Sequence, residues 1–184
     1  MGQEGRELRE LYKMWLQLLQ TAGAVSMLHV WSAADNGSVL QPMVESAVHG
    51  MVLLEEPAAC KVAVSIVVSM ANKWASGAEA IPGFQAFLLP LVARAIFQCA
   101  RTPAGNPNDA QSHSLLSDLA GMQRSLRTAC GEDWDAHLSK HLLETLALDP
   151  QAVQRFLWSL SNASEREFRE VFIAQVFAMA NTAS

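Results

Sequence analysis

The sequence of 184 residues is poor in the cysteines that cross-link small domains or hold structural metals. It contains three, Cys60, Cys99 and Cys130, which lie far apart and are odd in number. No CxxC pair is present, so the sequence supports neither a zinc ribbon nor a disulfide framework. We therefore expect a protein of a reducing compartment.

Long uncharged hydrophobic runs are also absent. The most apolar stretches, 58–71 and 84–100, are interrupted by Lys61 in the first and by Pro90 and Arg94 in the second. Both are shorter than the roughly 20 clean residues that a membrane span needs. The N-terminus, MGQEGRELRE, is charged, which is not typical of a secretory signal. These absences predict a soluble intracellular protein with no membrane partner.

Positive charge is in short supply as well. The chain has 13 basic and 18 acidic residues and a formal net charge of −5. This balance excludes a small, strongly basic nucleic-acid binder, so any RNA contact needs a local positive surface on an acidic body. Hydrophobic residues make up 51% and charged residues 17%, which is too apolar for a disordered chain and sufficient for a core.

What the sequence does have is a helical period along almost its whole length. Apolar residues recur every three or four positions in about nine segments, and no strand pattern is convincing. The segment 57–74 is apolar nearly all round, which predicts an inner helix packed on more than one side. Four pairs of helices are predicted, over 4–32, 38–76, 82–130 and 132–160, followed by an unpaired last helix. The interval of about 40 residues is typical of HEAT or armadillo repeats. An irregular single-core bundle is the alternative.

Three predicted helices begin with capping residues. Asn108 and Ser164 each stand three residues before a Gln or Glu, which predicts two capping boxes. Asp149 followed by Pro150 predicts an N-cap with proline in the first helical position.

Motifs for catalysis are missing. The sequence has no GxSxG elbow and no GxxxxGK[ST] phosphate loop. His137 and His141 are four residues apart, as two metal ligands on a helix would be, but Leu138 stands where a metalloprotease has its glutamate. Lys140 adds a positive charge beside them. We interpret both as surface histidines and predict no metal, no cofactor and no enzymatic activity.

One extended stretch, residues 94–131, is net positive. Its four arginines are Arg94, Arg101, Arg124 and Arg127. Arginines near helix C-termini offset the helix dipole and solvate the surface, which is the simpler interpretation. The same side chains are suited to contact phosphates, and we carry them as candidate RNA-binding residues.

An ordered series of segments leads to a family resemblance. AlaCysLysValAlaVal at 59–64 runs to LysTrp at 73–74, and GlyPheGlnAlaPheLeu follows at 83–88. Asp109 begins a loop-to-helix junction, and the last helices run through Pro150 towards residue 180. In this order, the segments resemble the C-terminal part of the exportin-t family, the tRNA nuclear export receptors of the importin-β superfamily.

The resemblance implies an all-α fold of HEAT-like repeats, an α-solenoid, with residues 1–184 forming one segment of a longer receptor or a short paralogue of it. It implies tRNA as the ligand, recognised through its backbone and shape. Ran-GTP would bind through repeats missing from this chain, and nuclear pore proteins would be further partners. The implied localisation is the nucleus and the cytoplasm, with shuttling through the pore.

Two other functions remain open. The chain is either a helical scaffold or adaptor that binds protein and no RNA, or part of another importin-β-type receptor. Arg94, Arg101, Arg124 and Arg127 distinguish the hypotheses. A tRNA-binding arch predicts that they share a concave face, whereas a scaffold allows them to scatter.

Overall fold

The computed structural model describes residues 3–24, 28–31, 33, 36–106 and 108–182, and within these ranges it contains nine α-helices and no strand. The helices are α1 (Gln3–Ala24), α2 (Leu28–Trp31), α3 (Gly37–Leu53), α4 (Pro57–Trp74), α5 (Phe84–Cys99), α6 (Ala110–Cys130), α7 (Glu132–Lys140), α8 (Pro150–Asn162) and α9 (Glu165–Thr182). A 3₁₀ turn, Pro103–Gly105, precedes α6, and a π-helical turn, His141–Thr145, continues α7.

The helices are stacked in two layers. In one layer α1 packs on α4, α4 on α6, and α6 on α9; in the other α3 packs on α5 and α5 on α7. The layers are joined most closely by the hairpin of α3 and α4, while α8 contacts α6, α7 and α9. This repeating two-layer stack confirms the predicted all-α fold of HEAT-like repeats.

The structure changes two of the predicted pairings. The pair over 82–130 is less direct than expected, because α5 packs mainly on α3 and α7 while α6 packs on α4 and α9. The prediction of an unpaired last helix is wrong, since α9 packs against both α6 and α8. Phe168, Phe172 and Val176 form a buried stripe on α9 that these neighbours cover. Sequence spacing identifies such a stripe but not the helices that bury it.

Helix α4 is the predicted inner helix. Its buried side chains include Val64, Val67, Met70 and Trp74, and it lies against α1, α3 and α6. Each large apolar side chain removed from water in this way contributes about 1.5–3 kcal/mol. Trp74 also packs edge-on against Phe84, with ring centroids 5.5 Å apart. In the described ranges, no helix is both long and apolar enough to cross a bilayer.

Two of the three predicted caps are confirmed. The Asp149 carboxylate accepts hydrogen bonds from the first free amides of α8 at 2.9 and 3.1 Å. Ser164 and Glu167 form a reciprocal capping box: the Ser164 amide donates to the Glu167 carboxylate at 2.8 Å, and the Glu167 amide donates to the Ser164 hydroxyl at 3.3 Å. The hydrogen bonds from Ser164 lower the pKa of Glu167.

The third cap lies one residue later than predicted. Asp109, not Asn108, begins α6, and its carboxylate accepts both the amide and the hydroxyl of Ser112 at 3.0 Å. The Asn108 amide instead donates to the Asn106 side chain at 3.0 Å. A carboxylate is the stronger acceptor for two donors, and these hydrogen bonds lower the pKa of Asp109.

The 3₁₀ turn fits against the end of α5 because Gly105 has no side chain. A Cβ at Gly105 would lie 2.5 Å from the Cys99 carbonyl oxygen and 2.6 Å from the Ala100 Cα. Because both are backbone atoms, we expect Gly105→Ala to lower the free energy of unfolding by about 2–3 kcal/mol, measured by urea denaturation.

Gly121→Ala is the matched control for this substitution. Gly121 lies within α6, where an added Cβ meets nothing within 4 Å. There the change should raise the free energy of unfolding by about 0.5–1 kcal/mol, since alanine is the better helix former. Equal effects of the two substitutions would contradict the close packing assigned to the turn.

Candidate nucleic-acid interface

Arg94 and Arg101 are the exposed half of the predicted arginine set. Arg94 lies within α5 and Arg101 just beyond its C-cap, Ala100. Seven residues are two helical turns, so the two side chains start roughly 10 Å apart along the axis of α5. Within the described part of the chain, neither guanidinium group forms a hydrogen bond or ion pair with another side chain. Both are therefore available to an external anion.

Arg124 and Arg127 are used by the fold. The Arg124 Nη1 donates to the Ala163 carbonyl oxygen at 2.7 Å, at the junction of α8 and α9. The Arg127 Nε lies 3.1 Å from each carboxylate oxygen of Asp135, at the start of α7. Each guanidinium group has five N–H donors, so both retain donors for another ligand. That the four arginines share one concave face stays a prediction.

His141 lies beside Arg94. The sequence predicts a surface histidine at this position, and that prediction is wrong. Its ring is half-buried and stacked on Phe97 of α5, with centroids 5.8 Å apart and planes at 30°. Burial and the nearby charge of Arg94 lower the pKa of His141. The packing of α7 on α5 decides this burial, which sequence spacing does not reveal. No group of three or more His, Cys, Asp or Glu residues among those described is placed to hold a metal ion.

The three cysteines are free and buried. The Cys60 thiol donates to the Leu54 carbonyl oxygen at 3.1 Å. Its hydrogen bond with Cys99, together with burial, raises the pKa of Cys99, and burial raises the pKa of Cys130 to about 11. Cys99 and Cys130 therefore behave as core side chains and not as activated nucleophiles.

A groove between α8 and α9 is the feature that sequence reasoning missed. It has a volume of about 780 Å³, and its lining includes Arg155, Trp158 and Val171. The Trp158 side chain is 65% exposed. The sequence signal for this groove is the position of Trp158, which falls outside the buried stripe that Phe156 and Leu160 continue along α8. A large aromatic side chain off the buried stripe indicates a surface that is apolar on a second side.

The two halves of the arginine set should differ in their effect on stability. We expect Arg124→Ala and Arg127→Ala each to lower the free energy of unfolding by about 0.5–1.5 kcal/mol, because each loses a partly exposed charged hydrogen bond. Arg94→Ala and Arg101→Ala should stay within about 0.5 kcal/mol of the parent, as surface substitutions do. Urea denaturation of the four variants checks this, and equal losses in all four would contradict the assignment.

His141 should make the stability depend on pH. Because its pKa in the folded protein lies below the ordinary value of 6.5, its neutral form favours folding. That contribution is present above pH 6.5 and is lost as the pH falls below it, since the unfolded chain then binds the proton more readily. We expect His141→Phe, which keeps a ring against Phe97, to weaken the fall in thermal stability between about pH 7 and pH 5, a range that contains the ordinary histidine pKa of 6.5.

Arg94→Ala tests the cause of this pH dependence. Removal of the positive charge should raise the pKa of His141 and weaken the pH dependence in part. If the thermal stability of His141→Phe depends on pH as strongly as that of the parent protein, His141 does not titrate as described.

Comparison with known proteins extends over nearly the whole chain. Residues 3–180 match the family model of Exportin-T. Among curated proteins, Exportin-T of Aspergillus oryzae is 23% identical over 178 residues, covering 90% of this chain and 17% of that protein. Exportin-T of Aspergillus terreus is 26% identical over 160 residues, covering 75% and 16%, and that of Aspergillus niger is 26% identical over 149 residues, covering 72% and 14%.

The chain thus spans no more than 17% of the length of each of these relatives. No solved structure gives a significant match. The two-layer helical stack, the family match over residues 3–180 and the relatives agree on one assignment. The chain belongs to the Exportin-T family.

Proposed function

We propose that this chain is part of a nuclear export receptor and that it binds tRNA for export from the nucleus to the cytoplasm. The observation that carries the proposal is the Exportin-T family match over residues 3–180. Ran-GTP, bound through repeats missing from this chain, and nuclear pore proteins would be the partners of the whole receptor. The proposed role is therefore one of binding and transport, without catalysis.

Arg94 and Arg101 are the proposed phosphate contacts. Both residues are exposed, and because Arg94 lies within α5 and Arg101 just beyond its C-cap, both can reach one backbone. Phosphate contacts of this kind supply affinity and register without reading the base sequence. A receptor for tRNAs of many sequences needs this kind of recognition, because its ligands share their backbone shape. Arg124 and Arg127 would contribute through the donors that the fold leaves free.

The net charge of −5 affects the strength of tRNA binding and its dependence on salt concentration. The acidic body repels a polyanion, so the local arginines must overcome a general repulsion that salt screens. We expect the isolated chain to bind tRNA weakly, with an affinity that falls as the salt concentration rises, because each phosphate contact releases counterions.

The test is a titration of fluorescently labelled tRNA with the chain across a salt series. We expect Arg94→Ala/Arg101→Ala to weaken binding at low salt and to reduce the slope of log K against log salt by about 1.5, since each lost phosphate contact accounts for about 0.7–0.9.

The double variant Arg6→Ala/Arg155→Ala is the matched control. It removes the same charge from exposed positions on α1 and α8. It should change the slope by much less if the contacts are local. Equal effects of the two double variants would contradict the assigned residues, and no binding by the parent at low salt would contradict tRNA binding by this chain.

A scaffold that binds another protein is the second candidate. The groove between α8 and α9, with its exposed Trp158, favours it, because an aromatic side chain beside an apolar groove is typical of a protein interface. A chain that fails to bind tRNA would leave this groove as its clearest recognition surface.

A further inference from the structure

The ring of His141 is positioned by the core of the protein. It stacks on Phe97, with ring centroids 5.8 Å apart. Phe97 also contacts Phe156 and Phe172, whose ring centroids lie 6.4 and 5.9 Å from its own. Because Phe97 is fully buried in this aromatic cluster, the imidazole that stacks on it has a defined place at the edge of the core.

The fold makes no use of the polar atoms of His141. Within the described part of the chain, its ring forms no hydrogen bond and no ion pair, and neither ring nitrogen is buried. An imidazole with accessible nitrogens can donate one hydrogen bond when neutral and two when protonated. His141 is therefore held in place by apolar contacts while its donors remain available to an external acceptor.

His141 lies next to the side of α5 that carries the two available arginines. At about 100° per residue, Arg94 and Arg101 start only about 20° apart around the axis of α5. Phe97 starts about 60° from Arg94 around the same axis, so its stacking partner His141 lies at the border of the exposed side. An anion that binds Arg94 from this side is within reach of the His141 ring.

The charge that acts on His141 is that of Arg94. The turn that carries His141 packs mainly against α5, α7 and α8. Besides Arg94, the nearby titratable groups on these elements are the buried thiol of Cys99 on α5, His137 and Lys140 on α7, Glu144 in the turn itself, and Asp149 and Arg155 on α8. Asp149 caps α8, and Arg155 lines the groove towards α9. Burial and the positive charge of Arg94 lower the pKa of His141, so a second positive charge at this place is costly until an anion binds beside it.

We propose that His141 is a further phosphate-binding residue of this chain, and that its protonated ring and Arg94 together hold one backbone phosphate of the tRNA. When the phosphate binds, the neutral ring takes up one proton from water. The negative charge of the phosphate offsets the repulsion between the two cations. The inference rests on the proposed binding of tRNA and adds a contact that lies outside the arginine set.

This contact makes the affinity for tRNA depend on pH in a defined direction. A neighbouring phosphate favours the charged imidazole, so the pKa of His141 is higher in the complex than in the free protein. The affinity is then highest below the pKa of the free protein and falls as the pH rises through the pKa of the complex. A difference of about one unit between the two corresponds to a change in affinity of about tenfold.

The test measures the affinity of the 184-residue chain for fluorescently labelled tRNA at low, constant ionic strength. The range runs from about pH 5.5 to pH 7.5, about one unit on either side of the ordinary histidine value of 6.5. We expect the parent to lose about tenfold in affinity over this range. His141→Phe keeps a ring against Phe97 but cannot take up the proton, so most of this pH dependence should disappear.

His113→Phe is the matched control, since it makes the same substitution at an exposed histidine on α6. It should keep the pH dependence of the parent, because the protonation of all other groups affects the two variants alike. Circular dichroism at each pH checks that the proteins are folded.

Nuclear magnetic resonance of the parent protein gives a second measurement that needs no variant. Addition of tRNA, or of inorganic pyrophosphate as a simple phosphate probe, should raise the pKa of His141. If tRNA binds but His141→Phe keeps the full pH dependence, or the pKa of His141 stays the same, the proposal is overturned while tRNA binding stands. If no tRNA binds at any pH, the proposed function fails. Pyrophosphate then decides on His141 alone: a raised pKa supports the phosphate contact, and an unchanged pKa overturns it.

Discussion

Helix α4 has little side-chain surface facing water along its middle turns, and the positions of its neighbours follow from this. Burial of Val64, Val67 and Met70 requires cover on several sides at once, which α1, α3 and α6 provide. A helix that must be covered in this way fixes two layers, because its sequence neighbour covers one side and helices more distant in sequence cover the others. The buried side chains of α6 need cover in the same way, and α4 and α9 provide it.

Polar interactions join the later helices to this core and decide which charges remain available. Arg124 and Arg127 connect α6 to the α8–α9 junction and to α7, so their first hydrogen bonds belong to the fold. Arg94 and Arg101 belong to the other layer. Among the described residues, their guanidinium groups form no hydrogen bond or ion pair with another side chain. The net-positive stretch 94–131 therefore contains two arginines that stabilise the fold, Arg124 and Arg127, and two that are available to a ligand, Arg94 and Arg101.

Membership of the Exportin-T family gives these features a common meaning. A stack of helical hairpins grows by adding repeats, so a segment of it has end faces as well as lateral surfaces. Arg94 and Arg101 are exposed within α5 and just beyond it, and ligand binding is the role that we propose for them.

The sequence by itself determined the helices, the inner position of α4, two of three caps and the family, because apolar period, capping chemistry and segment order are local properties of the chain. It placed the third cap at Asn108, one residue early, since a short polar run offers several acceptors and geometry selects Asp109. Only the tertiary structure decided that α9 is paired, that His141 is buried against Phe97 and that Trp158 borders a groove. Each of these depends on contacts between helices distant in sequence or across a turn, and a helical period specifies a face without naming the neighbour that covers it.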